Sequence, residues 1–105
     1  MAYIVEKSDR SSRDIEEAFV YIAEDNLDKA IEFLVAIEDS LTLLSENPRI
    51  GRERVFNNSK LSKLRIWRVK RFEKYFLIYQ IETNIKRLRL MRLVNSNRDF
   101  QSIEI

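Results

Sequence analysis

Residues 75–81 read Tyr-Phe-Leu-Ile-Tyr-Gln-Ile, and this stretch decides the fold. β-branched and aromatic side chains, which suit a pleated sheet, fill most of its positions. Alternate side chains of a strand point to opposite faces, and here both alternating sets are apolar apart from Gln80. Strands with two apolar faces have something packed on each side. The stretch therefore predicts a central strand that is covered on both faces.

A strand with one charged side precedes it at residues 64–72. Trp67 and Val69 alternate there with Arg68 and Lys70, and a period of two is typical of a strand. Because residues two apart in a strand share a face, Arg68 and Lys70 are predicted to point the same way.

A third strand follows at residues 85–94, after a turn of hairpin length at Thr83-Asn84. Arg87 and Arg89 are two apart and share one face of this strand. With the two cations of the preceding strand they would form one basic patch. That patch is either a binding surface or an ordinary solvated sheet face.

The same strand carries another arginine, Arg92, among Leu90, Leu93 and Val94. Alternation puts Arg92 on the opposite face, where a half-buried guanidinium needs a carboxylate. Asp99 is the candidate partner. The sequence predicts a structural ion pair here in preference to a target contact.

The N-terminal half predicts a short strand at residues 3–7 and two helices. Ser12 is the expected N-cap of a first helix at about residues 13–25, and Asp28 that of a second helix ended by Pro48. The predicted apolar stripes are Ile15, Ala18, Phe19, Ile22 and Ala23 in the first helix and Ala30, Ile31, Leu34, Ile37, Leu41 and Leu44 in the second. The short connection predicts an antiparallel hairpin.

The predicted order of elements is β-α-α-β-β-β, with residues 49–63 as a loop and a short tail at the end. Helices segregated from a strand meander imply an α+β fold class. We expect one domain over residues 1–105, with the helical hairpin packed on one face of a small antiparallel sheet. The other face is then left to solvent or to a partner.

The composition excludes several kinds of chemistry. The chain has 105 residues with no cysteine and no histidine, so no disulfide, Cys/His metal site or histidine-based catalytic dyad can form. We expect no cofactor. The N-terminus lacks the pattern of a secretory signal, and no stretch reaches the roughly 18 apolar residues of a membrane span. We therefore expect a cytoplasmic protein without a membrane partner.

Charge is divided unevenly along the chain. Residues 1–48 carry 4 Lys/Arg and 12 Asp/Glu, a net charge of −8, whereas residues 49–105 carry 15 and 5, a net charge of +10. The basic half could attract an acidic protein segment or a phosphate backbone. The alternative is that the two halves neutralise each other across an ordinary surface.

Five segments in order along the chain resemble the RelE/ParE superfamily of toxins. They are Asp14-Ile15 with Tyr21-Ile22-Ala23, then Asn47-Pro48-Arg49-Ile50-Gly51-Arg52, residues 65–69, Tyr75-Phe76-Leu77-Ile78-Tyr79, and residues 92–99. The resemblance covers nearly the whole chain and implies a RelE/ParE-like fold. It also implies the toxin of a type II toxin–antitoxin pair, held inactive by a cognate antitoxin whose disordered C-terminal segment folds on binding.

The two branches of this superfamily differ in their target. RelE-like toxins cleave messenger RNA in the ribosome, using basic residues on the sheet, and Arg68 and Lys70 match two of those positions. ParE-like toxins inhibit DNA gyrase and hydrolyse nothing. The choice between them depends on the chemistry of the remaining positions.

Several of those positions depart from the RelE pattern. Phe76 stands where a second RelE-type arginine would fall, and Asn95 where the last strand often ends in a histidine. An amide does not titrate near neutral pH, so Asn95 is neither an acid nor a base. Asn97 stands near the position of the C-terminal arginine, with Arg98 adjacent, and no tyrosine follows Tyr79.

The resemblance therefore favours the ParE branch: a non-enzymatic inhibitor of DNA gyrase that a cognate antitoxin neutralises. The alternatives are a ribosome-dependent messenger RNA endoribonuclease and an inactive toxin homologue. Phe76 and Ile78 are interpreted as an apolar patch that the antitoxin covers, with stacking of Phe76 on a base as the alternative. No catalytic residue is assigned. The residues expected to contact target or antitoxin are Arg68, Lys70, Phe76, Ile78, Arg87, Arg89, Asn95, Asn97 and Arg98.

Overall fold

A helical hairpin lies on one face of a mixed sheet in the computed structural model, which describes residues 2–55 and 63–97. The central strand predicted from residues 75–81 is present, and so are both helices. The strands of the described part are β1 (Ile4–Lys7), β2 (Arg52–Arg54), β3 (Leu64–Arg68), β4 (Tyr75–Glu82) and β5 (Arg87–Asn95), and the helices are α1 (Asp9–Asp25) and α2 (Leu27–Glu46). The predicted C-terminal tail lies outside the described residues.

The strands lie side by side in the order β1-β5-β4-β3-β2. The meander from β3 to β5 is antiparallel, as predicted, and β2 joins it antiparallel to β3. Strand β1 runs parallel to β5, with Ile4 opposite Arg87 and Lys7 opposite Leu90. The expectation of a fully antiparallel sheet is therefore wrong. A strand that a helical hairpin separates from the meander can join in either direction, and alternation of side chains does not fix which.

Strand β2 lies inside the segment that the sequence predicts to be a loop. Its three residues, Arg-Glu-Arg, are all charged and offer no apolar alternation, so the pattern for a strand is absent. Pairing with β3 holds it in place, with Arg52 opposite Ile66 and Arg54 opposite Leu64. Its position at the edge of the sheet explains why charged residues are tolerated.

Both helices begin earlier than predicted. Ser8, not Ser12, caps α1, because its Oγ accepts a hydrogen bond of 3.1 Å from the backbone N–H of Ser11. Asn26, not Asp28, caps α2, because its Oδ1 accepts one of 3.1 Å from the backbone N–H of Lys29. Asn26 also closes the C-terminal end of α1, so one residue makes the turn of the hairpin.

Two apolar clusters lie on opposite faces of the sheet, which confirms the prediction that the central strand is apolar on both sides. The larger lies under the helices and includes Phe33, Ile37, Leu77 and Tyr79. The smaller lies on the other face and consists of Leu64, Ile66, Phe76, Ile78 and Val94, with Met91 packed against it.

Helix α2 buries four residues of its predicted stripe, Ala30, Ile37, Leu41 and Leu44, but not the other two. Ile31 and Leu34 remain 50% and 37% exposed, whereas Phe33, Ala36 and Ser40 are buried. Apolar residues occur on two sides of this helix, and periodicity alone does not say which side meets the core. The buried side is the one with the aromatic residue, since Phe33 stacks against Tyr75 and Phe72.

The prediction that Arg92 lies on the opposite face from Arg87 and Arg89 is wrong, because a register shift between Ile78 and Tyr79 breaks the alternation and puts Arg92 opposite Ile78. This buried cation of β5 is paired, as expected, and Asp14 of α1 is a partner in the described part. The Nε of Arg92 lies 2.6 Å from Oδ2 of Asp14. The suggested partner, Asp99, lies outside the described residues. Asp14 precedes Arg92 by 78 positions, and no local pattern links the two.

Candidate functional site

The sheet face away from the helices is the candidate site, and we call it the far face. Cross-strand partners of an antiparallel pair point to the same side, so the register identifies its residues. The far face carries Arg52, Arg54, Leu64, Ile66, Arg68, Phe76, Ile78, Gln80, Glu82, Arg87, Arg89, Arg92 and Val94 from β2 to β5, and Ile4 and Glu6 from β1. It therefore has an apolar centre and charged ends.

The apolar centre is less accessible than the sequence suggested. Phe76 is 9% exposed and Ile78 is fully buried. Their cross-strand neighbours Val94 and Ile66 pack beside them in the smaller cluster. Phe76 and Ile78 therefore expose little surface of their own, and the interpretation that the antitoxin covers them stays a prediction.

Arg68 lies across this centre. Its Cζ is 4.5 Å from the ring centroid of Phe76, an arrangement in which the ring face attracts the cation. One of its terminal nitrogens donates a hydrogen bond of 2.7 Å to the backbone carbonyl of Glu73. The guanidinium is therefore held in one orientation on an exposed surface.

Arg87 and Arg89 share the opposite end of the far face, where two carboxylates neutralise them. Arg87 donates to both carboxylate oxygens of Glu82, at 2.9 and 3.0 Å, and to Glu6 at 3.1 Å. Arg89 lies 3.4 Å from the same Glu6. Two cations and two anions thus form a network with no net charge.

This network predicts that part of the stability of the fold depends on pH. The hydrogen bond from Arg87 holds the pKa of Glu82 below its ordinary value of 4.5. A carboxyl group with a lowered pKa stabilises the folded state at neutral pH, and this contribution is lost as pH falls below about 4.5 through the folded value. We expect Glu82→Gln to lower the melting temperature at pH 7, and this difference from the wild type to shrink as the pH falls toward 3. Two melting curves that stay parallel from pH 7 to pH 3 would contradict this.

Lys70 does not join Arg68 on the far face. Strand β3 ends at Arg68, and Lys70 lies in the turn that follows, where it lines a small groove with Trp67 and Asp39 of α2. The prediction that Lys70 and Arg68 share a face is wrong, because the turn after β3 breaks the alternation.

Asn95 and Asn97 lie together, but in another place. They line a groove of about 730 Å³ between the end of the sheet and α1, together with Tyr75 and Tyr21. The backbone N–H of Asn97 donates 3.0 Å to Oδ1 of Asn95. Burial raises the pKa of the Tyr75 phenol, partly offset by a hydrogen bond with Asn95. Arg98 lies outside the described residues.

Arg52 and Arg54 are far-face residues that the sequence did not indicate. They lie on the same side of the sheet as Arg68. Arg52 and Arg54 are two apart and would share a face in a strand, but the segment was interpreted as a loop, so this spacing was not used.

The segment that leads into β2 is held by the central strand. The Tyr79 hydroxyl donates 2.6 Å to the carbonyl of Pro48 and accepts 3.0 Å from the N–H of Gly51. Arg65 donates 2.6 Å to the carbonyl of Gly51 and 3.0 Å to that of Arg49. Burial raises the pKa of Tyr79, so the phenol stays protonated and able to donate. These contacts place β2, and with it Arg52, at the rim of the far face.

The far face offers cations and apolar contact, the chemistry of a binding surface. No three carboxylates of residues 2–55 and 63–97 come together as metal ligands, and no helix in that part of the chain could cross a bilayer.

The fold is that of the RelE/ParE-like toxins of toxin–antitoxin systems. The toxin–antitoxin complex RelBE2 from Mycobacterium tuberculosis contains a similar chain, with a TM-score of 0.63 and 19% identity, covering 90% of this chain and 99% of that one. The chromosomal ParDE system from P. aeruginosa contains another, with a TM-score of 0.67 and 13% identity, covering 90% and 96%.

The amino-acid sequence matches one family within this class of toxins. A family model described as the ParE toxin of the type II toxin–antitoxin system parDE matches residues 5–100. The chain therefore belongs to the ParE toxin family, as the resemblance predicted. A comparison with curated proteins gives no match.

Proposed function

We propose that this toxin inhibits DNA gyrase by binding it, without hydrolysing a substrate, and that a cognate antitoxin neutralises it. Membership of the ParE family supports the first part. The solved complexes with a similar chain contain an antitoxin and support the second. The far face is the proposed contact surface for the target.

The observation that carries this proposal is the charge arrangement of the far face. Cleaving RNA without a metal requires cations free to stabilise the phosphate and groups that transfer protons. Arg87 and Arg89 are engaged by Glu6 and Glu82, and an apolar side chain, Phe76, occupies the centre. Such a surface suits protein binding better than phosphoryl chemistry.

One observation favours the alternative, a ribosome-dependent messenger RNA endoribonuclease. Arg52, Arg54 and Arg68 lie on one side of the sheet and could contact a phosphate backbone. This reading needs a general acid or base, and Asn95 at the end of β5 supplies neither.

A direct comparison of the two activities tests the proposal. We expect purified toxin to suppress supercoiling by gyrase at near-stoichiometric amounts and to leave messenger RNA intact in a translating ribosome assay. The antitoxin should abolish the inhibition. Cut messenger RNA with unaffected supercoiling would reverse the assignment.

Variants of the far face test where the target binds. We expect Arg52→Ala with Arg68→Ala to weaken gyrase inhibition about 30-fold, since arginines at the centre of an interface can contribute more than 1 kcal/mol each. Lys70→Ala is the matched control, because Lys70 is an exposed cation off this face. Equal loss in control and test variants would contradict the location, and melting temperatures would show that each variant is folded.

A further inference from the structure

The guanidinium of Arg68 is held in place by two contacts within the fold. Strand β3 ends at Arg68, which lies opposite Phe76 of β4 on the far face. Its Cζ is 4.5 Å from the centroid of the Phe76 ring, and its Nη1 donates a hydrogen bond of 2.7 Å to the carbonyl oxygen of Glu73. The ring attracts the cation from one side, and the turn after β3 supplies an acceptor at its edge.

The ring beneath Arg68 is itself enclosed. Phe76 is 9% exposed and packs with Ile66, Ile78 and Val94 in the smaller cluster. An exposed arginine normally loses much side-chain freedom when it binds a partner, and this loss weakens binding. Because the fold already holds Arg68, a large part of that loss has occurred before any partner arrives.

Arg68 still has donors to offer. A guanidinium carries several N–H donors, and among the residues that the structure describes only the carbonyl of Glu73 accepts from Arg68. Arg52 lies diagonally across the same face, since Arg52 is opposite Ile66 and Arg68 is two residues further along β3. Diagonal neighbours of this kind lie about 7–8 Å apart. Arg52 makes no hydrogen bond or ion pair with a described residue.

The arginines of β5 differ from these two, because carboxylates of the same chain already bind them. Arg87 and Arg89 pair with Glu6 and Glu82, and Arg92 pairs with Asp14. Binding of a nucleic acid backbone depends on neutralising several phosphates at once. The half of the far face at β5 is therefore poorly suited to a phosphate backbone.

The centre of the far face also favours a protein over a nucleic acid. A base that stacked on the ring of Phe76 would have to displace the guanidinium of Arg68. A carboxylate needs no such change, because a guanidinium binds it through two parallel hydrogen bonds in its own plane. The fixed guanidinium thus fits an acidic side chain of a protein.

We propose that Arg68, positioned by the Phe76 ring and the Glu73 carbonyl, binds a carboxylate on an acidic segment of the target protein, with Arg52 binding a second carboxylate beside it. This inference rests on the proposed function, since it takes gyrase as the target. It adds the residue that recognises the target and the chemistry of the segment that is recognised. Phe76 is a positioning residue, which acts through Arg68.

Affinity for purified gyrase in the absence of DNA measures this contact. We expect Arg68→Ala to weaken binding about tenfold. Arg68→Lys should weaken it nearly as much, since an ammonium group cannot form the two parallel hydrogen bonds. Lys70→Ala is the matched control and should bind like the wild type, because Lys70 is a cation off the far face.

A double-mutant cycle distinguishes positioning from a general loss of structure. Phe76→Leu removes the ring but keeps an apolar side chain, and should weaken binding about threefold in the presence of Arg68. In the Arg68→Ala background the same substitution should have almost no effect, because the ring acts through the guanidinium. Ile37→Val, in the larger cluster under the helices, is the control for lost packing: it should lower the melting temperature and leave gyrase binding unchanged.

The outcomes that overturn the proposal are distinct. Arg68→Ala that binds gyrase within twofold of the wild type rejects Arg68 as a contact. A Phe76→Leu effect of the same size with and without Arg68 makes the ring structural only. Toxin that binds gyrase only when DNA is present, and whose affinity for a short DNA duplex falls with Arg68→Ala, has a phosphate as its ligand. A wild type that neither binds nor inhibits gyrase rejects the proposed function as well, whereas a toxin that inhibits gyrase without needing Arg68 rejects this inference alone.

Discussion

Replacing Asp14 by alanine is expected to lower the free energy of unfolding by about 3–5 kcal/mol, the cost of removing one partner from a buried ion pair. The side chains of Asp14 and Arg92 are 8% and 3% exposed. Oδ2 of Asp14 lies 2.6 Å from Nε of Arg92, and Oδ1 accepts a second hydrogen bond of 3.3 Å from the same guanidinium. Alanine would take this carboxylate away from a cation that is shielded from water.

The same carboxylate completes the edge of β5. Pairing with β1 stops where Lys7 lies opposite Leu90. Beyond that point Ser8 donates its hydroxyl to the carbonyl of Met91 at 3.0 Å, and Asp14 accepts 3.1 Å from the N–H of Leu93. Ser8 and Asp14 thus make the hydrogen bonds to β5 that a longer β1 would have made. Asp14→Ala therefore also removes the acceptor of the Leu93 N–H.

Chemical unfolding of the variant measures the effect. Arg10→Ala is the control, because Arg10 also contacts Asp14, at 3.6 Å, but is 53% exposed, and exposed pairs contribute about 1 kcal/mol or less. Asp14→Asn should fall between the two, since the amide oxygen can still accept from Leu93. If Asp14→Ala lowers the free energy of unfolding by less than about 1 kcal/mol, the Asp14–Arg92 pair does not stabilise the fold as a buried ion pair would.

The elements that the sequence predicts well are those whose signal is local. Residues 75–81 are extended with two apolar faces, and the alternation is visible in the sequence itself. The helical hairpin is also local, because Asn26 and Pro48 mark its turn and its end. Its exact starts were missed, since Ser8 and Ser12 are equally good caps by composition and only tertiary packing of Ser11 chooses between them.

Features that depend on distant contacts could not be read from the sequence. The partner of Arg92 comes from α1, 78 positions earlier, so the nearer Asp99 was the natural guess. The turn after Arg68 moves Lys70 off the far face, and β2 brings Arg52 onto it. Alternation predicts which side chains of a strand share a face. It does not predict where the strand begins or ends, because pairing with the neighbouring strand sets those limits.

Burial was the other quantity that patterns did not give. Ile31 and Phe76 are both apolar residues in regular elements, and the sequence assigned Ile31 to the core and Phe76 to a partner-binding surface. Ile31 is exposed because α2 turns Phe33 inward, and Phe76 is largely buried among its cross-strand neighbours, so its contact with a partner stays a prediction. Periodicity shows which residues share a face of a helix or strand. When an element has more than one apolar face, tertiary packing determines which face is buried.

The second large effect is expected at the only glycine of the chain. Gly51→Ala should lower the free energy of unfolding by about 1–3 kcal/mol, the usual range for overpacking. A Cβ at this position would lie 2.3 Å from the Tyr79 hydroxyl oxygen and 2.8 Å from two ring carbons. Gly51 does not have a positive φ, so the reason is lack of space and not backbone strain.

The neighbouring ring cannot move aside to accept the methyl group. Tyr79 is fully buried in the larger cluster, and its hydroxyl is fixed by the carbonyl of Pro48 and the N–H of Gly51. Any shift of the ring would break one of these hydrogen bonds or disturb the core. The loop must therefore move instead, and with it β2 and the guanidinium of Arg52.

A double-mutant cycle with Tyr79→Phe separates these causes. Tyr79→Phe alone should cost about 1–3 kcal/mol, because a buried carbonyl and N–H lose their partner. In that background Gly51→Ala should cost less than in the wild type, since the closest atom, the hydroxyl oxygen, is gone while the two ring carbons remain. Unfolding by urea measures all four corners of the cycle. If the losses in unfolding free energy from the two substitutions simply add, the clash between Cβ and the hydroxyl is contradicted. If Gly51→Ala inhibits gyrase less than Tyr79→Phe does, the position of β2 matters for binding the target.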